Sequence, residues 1–436
     1  MRIVDLIEKK KKGEKHTREE IEFIIDSLMN GTAADYQISA WLMAVYFNGM
    51  DIEETTNLTR AMIESGETLD LSAISDNIID KHSTGGVGDK ITILLIPILQ
   101  ALGIPVAKLS GRGLGFTGGT IDKLESIPNF NCALTMEQMI EQVKEIGAAI
   151  VSQTAKLAPA DGKLYALRDV TATVDSMPLI ASSVVSKKIA SGANNIILDV
   201  KYGNGAFMKT AQEAQELSSI MVQVGKNLGK KITAVVSAMN EPLGRAVGNS
   251  LEIIETIEFL KGNTCYDLEE ITYKLASISV LKMGMAKTED EALKMVREVV
   301  VNGKALACFR ELIAKQGGNS SIIDDYNLLT QAKNRFEIKA KNCGIIASIN
   351  ALSIAKASKM LGAGRDKKTD SIDYSVGVYL NKKTFERVEK NDTIATLYVN
   401  DKSAEEVEIA KDLVQNAFEI KQKDCENKSL IHSVIA

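Results

Sequence analysis

Two glycine-rich loops contain the residue types that hold a small anion. The first runs from Asp80 to Lys90, DKHSTGGVGDK, between a predicted strand and a helical run that begins at Thr92. Its closely spaced glycines let successive backbone N–H groups point into one concavity, and the N-terminus of the following helix adds partial positive charge. Lys81, Ser83 and Thr92 add side-chain donors. The loop predicts an oxyanion site, because a strand-to-helix turn without a function would not require Lys, His, Ser and Thr together.

The second loop runs from Lys108 to Glu125, KLSGRGLGFTGGTIDKLE, and also follows a short predicted strand. It contains a GxGxxG match at Gly113, Gly115 and Gly118. Such a match indicates a dinucleotide site when a long helix opens from the glycines and an acidic residue ends the next strand. Here Pro128 limits the helix to about two turns. One small oxyanion held from two sides explains the two loops better than an extended pyrophosphate does.

The segment from Pro159 to Asp169 predicts a short helix with two polar side chains on one face. Asp161 is its predicted N-cap, because a side-chain oxygen there accepts a hydrogen bond from the first turn. Tyr165 and Arg168 then lie at i and i+3. An arginine offers donors for a carbonyl group and positive charge for a leaving group on which negative charge develops. The alternative is that Arg168 is a surface charge or a salt-bridge partner.

A second predicted helix adds two further hydrogen-bonding side chains. Pro178 suits its first turn, and Ser183 and Lys187 lie at i and i+4 on one face. If the two helices face each other, they supply donors for the carbonyl edge of a pyrimidine. Lys187 taken alone is equally compatible with a surface charge.

His82 is a candidate proton donor. It is one of three histidines, and the other two, His16 and His432, lie in segments that look peripheral. Without a second nearby histidine or cysteine, a transition-metal site is not expected. A lone histidine is usually structural. Between an oxyanion loop and a base pocket, however, a near-neutral pKa would suit proton donation to a leaving group.

The length and composition indicate a globular protein with more than one packed unit. A chain of 436 residues exceeds what one hydrophobic core usually organises. Its net charge of −5 gives no support to nucleic-acid binding. The five cysteines are far apart, odd in number and free of CxxC spacing, which favours a reducing cytosol over a disulfide framework. The longest apolar stretch, Ile91 to Leu102, is too short for a bilayer, so no membrane role is expected.

The pattern of the chain changes twice, which predicts an α/β protein with additional all-α and α+β parts. Residues 1–70 have the apolar spacing of short amphipathic helices. Residues 71–333 alternate short β-type runs with helical patterns, as expected for a mostly parallel central sheet. The segment 158–191 interrupts this alternation and is expected to fold back onto the N-terminal helices. Residues 334–436 are typical of a C-terminal α+β unit.

Four segments together resemble the thymidine and pyrimidine-nucleoside phosphorylase family. They are KHSTGGVGD, SGRGLGFTGGTIDKLESIP, AKLAPADGKLYALRDVTATVDSMPLI and NIILDVKYGNGAFM, in this order. The resemblance implies a small helical domain joined by hinges to a large α/β domain, a C-terminal α+β portion, and homodimers formed through the helical domain. It also implies a cytoplasmic salvage enzyme. Such an enzyme converts uridine, thymidine or deoxyuridine and inorganic phosphate reversibly into free base and (deoxy)ribose 1-phosphate.

The resemblance also implies roles for individual residues. Phosphate-binding positions are Lys81, His82, Ser83, Thr92, Lys108, Leu109, Ser110 and Thr120. Base-recognition positions are Tyr165, Arg168, Ser183 and Lys187. Among these we expect three catalytic residues: Arg168 and Lys187 stabilise the departing base, and His82 donates to its O2 oxygen.

Members of the resembling family carry a structural potassium ion, and one K⁺ per subunit is expected here. The matching positions are Gly88, Lys90, Leu243, Ala246 and Glu255. Lys90 stands where a small hydroxyl residue is expected. The site can survive if the ligand at this position is a main-chain carbonyl, whereas an ammonium close to the other ligands would exclude the cation.

Lys108 bears on substrate breadth. In the resembling family, enzymes restricted to deoxynucleosides carry an apolar side chain at this position, and broad-specificity members carry lysine. An ammonium here could reach the phosphate and interact with a ribose 2′-hydroxyl. We therefore expect both uridine and thymidine to be substrates.

Two other functions fit part of the pattern. A phosphoribosyltransferase of related fold, such as the anthranilate enzyme, also has a glycine-rich phosphate loop, but it uses a diphosphate leaving group and Mg²⁺. The residues from Tyr165 to Lys187 speak against it. A non-catalytic nucleoside- or phosphate-binding protein could keep the donors but would not need His82.

Overall fold

The computed structural model describes residues 1–75, 77–113, 118–365, 367, 369–422 and 429–436. Gly115 of the GxGxxG match and Cys425 lie outside the described residues. An all-helical N-terminal part, a large α/β part with a mostly parallel sheet and a C-terminal α+β region are present, as the sequence predicts. None of the helices in these ranges combines the length and the apolar character needed to cross a membrane.

Four helices build the N-terminal part: α1 (Ile3–Lys11), α2 (Arg18–Asn30), α3 (Asp35–Asn48) and α4 (Ile52–Glu64). α2 and α4 begin with complete capping boxes, in which Thr17 and Asp51 accept from the backbone of the third helical residue. α2 and α3 end at asparagines followed by Gly31 and Gly49, which have positive φ values of +75° and +67°. Local sequence signals therefore mark both ends of α2, the start of α4 and the end of α3.

The middle of the chain alternates strands and helices. In order they are β1 (Ile79–Ser83), α5 (Ile91–Ala101), β2 (Val106–Ser110), α6 (Thr120–Leu124), α7 (Met136–Ile146), β3 (Ala148–Ser152), α8 (Pro159–Val170), α9 (Met177–Ala190), β4 (Asn195–Tyr202), α10 (Ala211–Asn227), β5 (Lys231–Ala238), β6 (Ala246–Val247), α11 (Asn249–Leu260), α12 (Tyr266–Lys282), α13 (Glu289–Val301) and α14 (Lys304–Lys315). The second glycine loop precedes α6, which has only 5 residues. It therefore does not open the long helix that a dinucleotide site requires.

The central sheet positions the glycine loops. β1, β4 and β5 pair in parallel in that order. β2 and β3 form a separate parallel pair, and β2 contacts β1 where the Lys108 side chain reaches the carbonyl of Lys81. Ser83 and Ser110 are the last residues of β1 and β2. Each glycine loop therefore starts at the carboxyl end of its strand, where ligands of α/β sheets usually bind.

Helices α8 and α9 connect the helical part with the central sheet. Ala160, Leu164 and Leu179 belong to the same apolar core as helices α1 to α4. Further along α9, Val184 and Val185 pack instead with side chains of β4, β5 and α10. α9 therefore packs against the helical part near its start and against the central sheet further along.

The C-terminal region contains β7 (Asn334–Lys339), β8 (Gly344–Ile349), α15 (Ala351–Ser358), β9 (Gly377–Leu380), β10 (Arg387–Val388), β11 (Thr393–Val399), α16 (Ala404–Ala417), β12 (Phe418–Lys421) and β13 (Ile431–Ile435). One antiparallel sheet has the order β6-β9-β11-β7, and another has the order β10-β8-β12. β13 leaves this unit and pairs antiparallel with β5 at the edge of the central sheet. The region 334–436 is therefore interleaved with the α/β part through β6 and β13.

Candidate active site

A cavity of about 360 Å³ lies over the ends of β1 and β2. All eight residues that the sequence analysis places at phosphate positions line it: Lys81, His82, Ser83, Thr92, Lys108, Leu109, Ser110 and Thr120. Glycines from both loops complete the wall: Gly85, Gly86, Gly111, Gly118 and Gly119. The structure thus brings the two loops around one donor-rich space of the kind that binds oxyanions.

Asp89 holds the first loop in shape. The Ser83 hydroxyl donates to Asp89 Oδ2 at 2.6 Å, and the backbone N–H of Gly85 donates to Ser83 Oγ at 3.1 Å. Lys123 donates to the main-chain carbonyl of Asp89 at 2.8 Å. Burial by itself would raise the pKa of Asp89, but Lys81 and the other nearby lysines outweigh it and lower the pKa. Asp89 is therefore an ionised acceptor inside the loop.

Lys81 lies beside the cavity between two partners. Its ammonium is 3.4 Å from Asp199 Oδ2 and 3.3 Å from Thr92 Oγ1. Asp199 also lies 2.8 Å from the ammonium of Lys201, and both of these side chains are fully buried. The carboxylate thus offsets positive charges that would be costly to bury alone. Since both contacts of Lys81 are long, its ammonium can turn toward an anion in the cavity.

A second buried carboxylate, Asp80, holds two lysines. Asp80 Oδ1 is 2.9 Å from Lys108 Nζ, and Oδ2 is 2.7 Å from Lys188 Nζ. Lys108 also donates to the carbonyl of Lys81 at 2.7 Å, which leaves one of its three N–H donors for a ligand. Burial and the neighbouring Lys188 ammonium lower the pKa of Lys108. An anion in the cavity would favour the protonated form, so this cluster is suited to an anionic ligand.

A second cavity, of about 200 Å³, is formed by α8, α9 and the loop after β4. All four residues at base-recognition positions line it: Tyr165, Arg168, Ser183 and Lys187. Much of the remaining wall is apolar: Val174, Ile180, Val184, Phe207, Met208 and Leu217. An apolar pocket with a few placed donors suits a flat heterocycle.

Main-chain carbonyl groups hold the buried guanidinium of Arg168. Nε donates to Thr173 O at 3.2 Å, Nη1 to Leu179 O at 3.2 Å and Nη2 to Val174 O at 2.6 Å. These bonds use three of the five guanidinium N–H donors and leave two. The guanidinium carbon also lies 5.8 Å from the centre of the Tyr165 ring, within the range of a cation–π contact. Arg168 is therefore a buried cation at the pocket, not a surface charge.

Lys187 has a carboxylate partner, Asp161, which the sequence analysis misplaced. The Lys187 ammonium is 2.8 Å from Asp161 Oδ2 and donates to Ser183 Oγ at 3.1 Å. The prediction of Asp161 as the N-cap of α8 is wrong, because the helix already begins at Pro159. Asp161 lies inside the first turn, where its carboxylate is free to hold the ammonium at the pocket. Pro178 lies in the first turn of α9, as predicted.

His82 differs from the expectation of a near-neutral pKa. Burial and neighbouring ammonium groups lower its pKa well below the usual value. The lysines concerned include Lys81, Lys108, Lys187 and Lys188. His82 is therefore a neutral imidazole at pH 7, with one ring nitrogen that donates and one that accepts. An anion bound beside it would offset the lysines and raise its pKa again.

The two cavities adjoin. Five residues line both: His82, Thr84, Tyr165, Lys187 and Phe207. A molecule with a heterocycle between α8 and α9, and with its other end at the glycine loops, would pass beside His82. The arrangement can therefore hold two groups on either side of a bond that is to be broken, as group transfer requires.

Comparison with known proteins agrees with this geometry. Residues 4–66 match the helical bundle domain of a glycosyl transferase family, residues 75–306 match its a/b domain, and residues 345–421 match a pyrimidine nucleoside phosphorylase C-terminal domain. The chain is 49 % identical to the pyrimidine-nucleoside phosphorylase of Bacillus subtilis and 48 % identical to that of Staphylococcus epidermidis, with 100 % of each chain covered. This chain belongs to the pyrimidine-nucleoside phosphorylase family. It is a pentosyltransferase, as the sequence analysis predicts.

A third relative and one solved structure from outside the phosphorylase family add detail. The pyrimidine-nucleoside phosphorylase of Geobacillus stearothermophilus is 49 % identical over 93 % of this chain and 94 % of its own. The crystal structure of anthranilate phosphoribosyltransferase from Thermus thermophilus covers 72 % of this chain and 100 % of its own, with a TM-score of 0.58 and 19 % identity. That likeness shows the fold alone. The fold therefore does not by itself distinguish a phosphorylase from a phosphoribosyltransferase.

In this phosphorylase, Lys90 occupies the place expected for potassium. Its Nζ donates to the carbonyls of Gly88 and Leu243 at 2.7 Å each and of Ala246 at 3.3 Å, and it lies 2.9 Å from Glu255 Oε2. Burial alone would lower the pKa of Lys90, but the neighbouring carboxylates outweigh it and raise the pKa. The residues present therefore do not fit a K⁺ ion, which corrects the expected metal site. In the described ranges, no cluster of three or more His, Cys, Asp or Glu side chains could hold a metal either.

Sequence reasoning missed several residues around the phosphorylase site. They are Asp80, Thr84, Asp89, Asp175, Lys188 and Phe207, and Asp161 is predicted only as a helix cap. A signal existed for Asp80, a carboxylate in a predicted buried strand, and for Lys188, the second lysine of a largely apolar helix. Buried charges usually have partners of opposite charge, so a buried Asp80 predicts a buried cation and a buried Lys188 predicts a buried carboxylate. No comparable local signal marks Phe207.

Proposed function

We propose that this phosphorylase catalyses the reversible phosphorolysis of uridine, thymidine and deoxyuridine to the free base and ribose or deoxyribose 1-phosphate. The observation that carries the proposal is the wall shared by two unlike cavities, one rich in donors for an oxyanion and one apolar with donors for a base. A nucleoside that bridges them would place its glycosidic bond beside His82. The similarity to pyrimidine-nucleoside phosphorylases supports the same assignment.

In the proposed reaction, an oxygen of hydrogen phosphate attacks C1′ of the pentose while the bond between C1′ and the base nitrogen breaks. The electron pair of that bond goes to the base, and the proton of hydrogen phosphate ends on the base. The carbon at which substitution occurs is oxocarbenium-like, so positioning and charge stabilisation matter more than covalent catalysis. His82 can accept a proton on one ring nitrogen and donate from the other, and it lies where this transfer would pass.

The base-side cations would stabilise the negative charge of the departing base. Arg168 has two N–H donors that its main-chain contacts do not use. Lys187 stands at the wall between the cavities and can direct its ammonium to a carbonyl oxygen of the base. Tyr165 and Ser183 complete the recognition of the ring in this proposal.

The proposed catalytic cycle includes closure of the two halves of the site. The proposed division is a helical domain of residues 1–70 with 158–191, an α/β domain of residues 71–333 and a C-terminal domain of residues 334–436. The helical domain presents the base and the α/β domain holds phosphate. Movement about the hinges between them would exclude water, which otherwise competes with phosphate for C1′.

Homodimers through the helical domain are part of the same proposal. Tyr36 and Phe47 of α3 are 77 % and 76 % exposed, and Val4 of α1 is 53 % exposed. Large exposed apolar side chains are typical of protein interfaces. Light scattering is expected to give twice the mass of one chain, and the mass of a single chain would contradict the dimer.

A cytoplasmic location is also proposed, because the cysteines support a reducing compartment. Cys132, Cys265, Cys308 and Cys343 are free. Burial raises the pKa of Cys132 to about 12, which keeps this thiol protonated and unreactive. Structural disulfides are rare in the cytosol, and their absence from these four positions agrees with it.

Incubation with uridine and inorganic phosphate in the presence of EDTA tests the proposed function. Free uracil should appear, its release should depend on phosphate, and EDTA should not abolish it. A requirement for Mg²⁺ and diphosphate chemistry would indicate a phosphoribosyltransferase instead. Binding of uridine without release of uracil would indicate a non-catalytic protein. Either of these two results would overturn the proposal.

A further inference from the structure

Lys90 is a fully buried lysine surrounded by oxygen atoms. Three main-chain carbonyls and one carboxylate oxygen of Glu255 lie within 3.3 Å of its Nζ. Carbonyl dipoles and a carboxylate directed at one point repel one another unless a positive charge lies between them. The ammonium supplies that charge, and its three N–H donors point at oxygens. We call these four residues, Gly88, Leu243, Ala246 and Glu255, the oxygen cage.

The oxygen cage joins the first glycine loop to a distant part of the chain. Gly88 belongs to the loop, Leu243 belongs to the turn before β6, Ala246 is the first residue of β6, and Glu255 belongs to α11. Gly88 has φ +66°, and a Cβ atom there would lie 2.6 Å from the Leu243 carbonyl. Only glycine therefore permits this close approach. A backbone hydrogen bond of 3.0 Å from Leu243 to Val87 reinforces the junction.

The cage is linked to the phosphate cavity through Asp89, the residue before Lys90. The carboxylate of Asp89 accepts from Ser83 at 2.6 Å, and Ser83 lines the cavity. Lys123 connects the same region from the other side, because it donates to the Asp89 carbonyl at 2.8 Å and lies 2.6 Å from Glu252. A shift of the Lys90 backbone would therefore move the side chain of Ser83. Lys90 itself does not line the cavity, so its effect is one of positioning.

We propose that the ammonium of Lys90 is a built-in replacement for a bound monovalent cation, and that it positions the phosphate loop without K⁺ from solution. Replacing Lys90 with a small hydroxyl residue should open the oxygen cage and create a need for a free cation. The part of this inference that concerns phosphate affinity rests on the proposed function. The part that concerns cation binding does not, because it can be measured by thermal unfolding alone.

A second buried lysine makes the test practicable. Lys383 donates to the carbonyls of Pro242 at 2.6 Å and Gly244 at 3.1 Å, and it lies 2.9 Å from Asp267 Oδ2. It thus holds the same turn by other carbonyl groups. This support remains in any variant of Lys90, so we expect the variants to fold.

The experiment compares wild type, Lys90→Thr and Lys90→Met in tetramethylammonium, potassium and ammonium chloride at equal ionic strength. Wild type should show the same Tm and the same phosphate KM in all three salts. Lys90→Thr should gain on the order of 2 °C or more in Tm from K⁺ or NH₄⁺. Its phosphate KM should rise roughly tenfold in tetramethylammonium and return toward that of wild type with K⁺. Lys90→Met fills the space without a charge, so it should respond to neither cation.

Several outcomes would overturn the proposal. A wild type whose Tm or phosphate KM responds to K⁺ would show that the ammonium does not replace the cation. A folded Lys90→Thr variant that is impaired but gains nothing from K⁺ or NH₄⁺ would show that the lysine is merely structural. If no variant catalyses phosphorolysis, the Tm series still decides whether the cage binds a cation, and the proposed function fails separately.

Discussion

The two adjoining cavities, called here the phosphate side and the base side, hold their positive charges in different ways. On the phosphate side, Lys81 and Lys108 lie beside the buried carboxylates Asp199 and Asp80. On the base side, the described contacts of the Arg168 guanidinium are with neutral main-chain carbonyls and an aromatic ring. A carboxylate cancels much of the charge of its partner, whereas carbonyl dipoles fix a cation and leave its charge in place.

This difference indicates how each side contributes. The phosphate side is a network of buried ion pairs that forms part of the folded core, so a change there should affect stability and phosphate affinity. On the base side, Lys187 is paired with Asp161, but the guanidinium of Arg168 is hydrogen-bonded only to main-chain carbonyls among its described contacts. Arg168 therefore keeps more of its charge close to where the leaving base would lie, so a change there should affect turnover. Four sets of variants test this contrast, from the largest expected effect to the smallest.

Asp80→Asn should have the largest effect, and it should appear in stability. The substitution removes the carboxylate that holds Lys108 and Lys188 in a buried position, so the free energy of unfolding should fall by about 3–5 kcal/mol. Asp161→Asn is the matched change on the base side. Its partner Lys187 has a side chain that is 25 % exposed, so a loss of about 1 kcal/mol is expected. The free energy of unfolding is measured by urea denaturation. Equal losses in the two variants would contradict the difference between the phosphate side and the base side.

Arg168→Ala should lower turnover by roughly ten- to a hundredfold or more, because it removes a charge-assisted hydrogen bond to the leaving base. Folding should survive, as judged by circular dichroism. Lys163→Ala is the control, because Lys163 is an exposed cation of the same helix that binds the carbonyls of Leu28 and Met29. It should leave kcat unchanged. A folded Arg168→Ala enzyme with the wild-type rate would remove Arg168 from the mechanism.

Ser110→Ala and Thr120→Ala should raise the KM for phosphate by roughly tenfold with little change in kcat, since each removes a hydroxyl donor from the phosphate cavity. Ser183→Ala, the matched change in the other cavity, should raise the KM for the nucleoside instead. The measurement is steady-state phosphorolysis with each substrate varied in turn. An unaltered phosphate KM in both loop variants would contradict the model of one anion held by two loops.

Lys108→Met should lower kcat/KM for uridine about threefold more than for thymidine. The reason is that Lys108 retains one free N–H donor, which a ribose 2′-hydroxyl can use and a deoxyribose cannot. Loss of the lysine also leaves Asp80 with one partner fewer, but that change should weaken both reactions equally. The ratio of kcat/KM for uridine to kcat/KM for thymidine is therefore unaffected by this general loss and isolates the effect on the 2′-hydroxyl. Equal losses for both nucleosides, or a wild type inactive on uridine, would refute the role of Lys108 in substrate breadth.

The elements with local sequence signals could be predicted. Thr17 and Asp51 each accept a hydrogen bond from a backbone N–H three residues further along, so these helix starts are visible in the sequence. The two glycine loops can be recognised from their composition. For the same reason, the sequence predicts that Tyr165 and Arg168 share one helix face and that Ser183 and Lys187 share another, and both pairs line one cavity. Each of these inferences needs only the backbone geometry of a single element.

The contacts that join distant segments could not be predicted from the sequence. Lys90 bonds to Leu243, 153 positions away, and Lys188 to Asp80, 108 positions away. The lowered pKa of His82 depends on lysines from three elements, β1, β2 and α9. Only the folded chain brings such groups together, and a periodic pattern along one segment carries no information about its partners.

The most direct test of the central claim is the fate of phosphate oxygen in the reaction with uridine. With [¹⁸O₄]phosphate, mass spectrometry of the sugar product should find ribose 1-phosphate that retains all of the labelled oxygens, because a phosphate oxygen attacks C1′ and the C1′–base bond breaks. One equivalent of uracil should accompany it. Free ribose together with unchanged labelled phosphate would mean that water attacks C1′, and it would contradict a site in which the two loops place phosphate against the sugar.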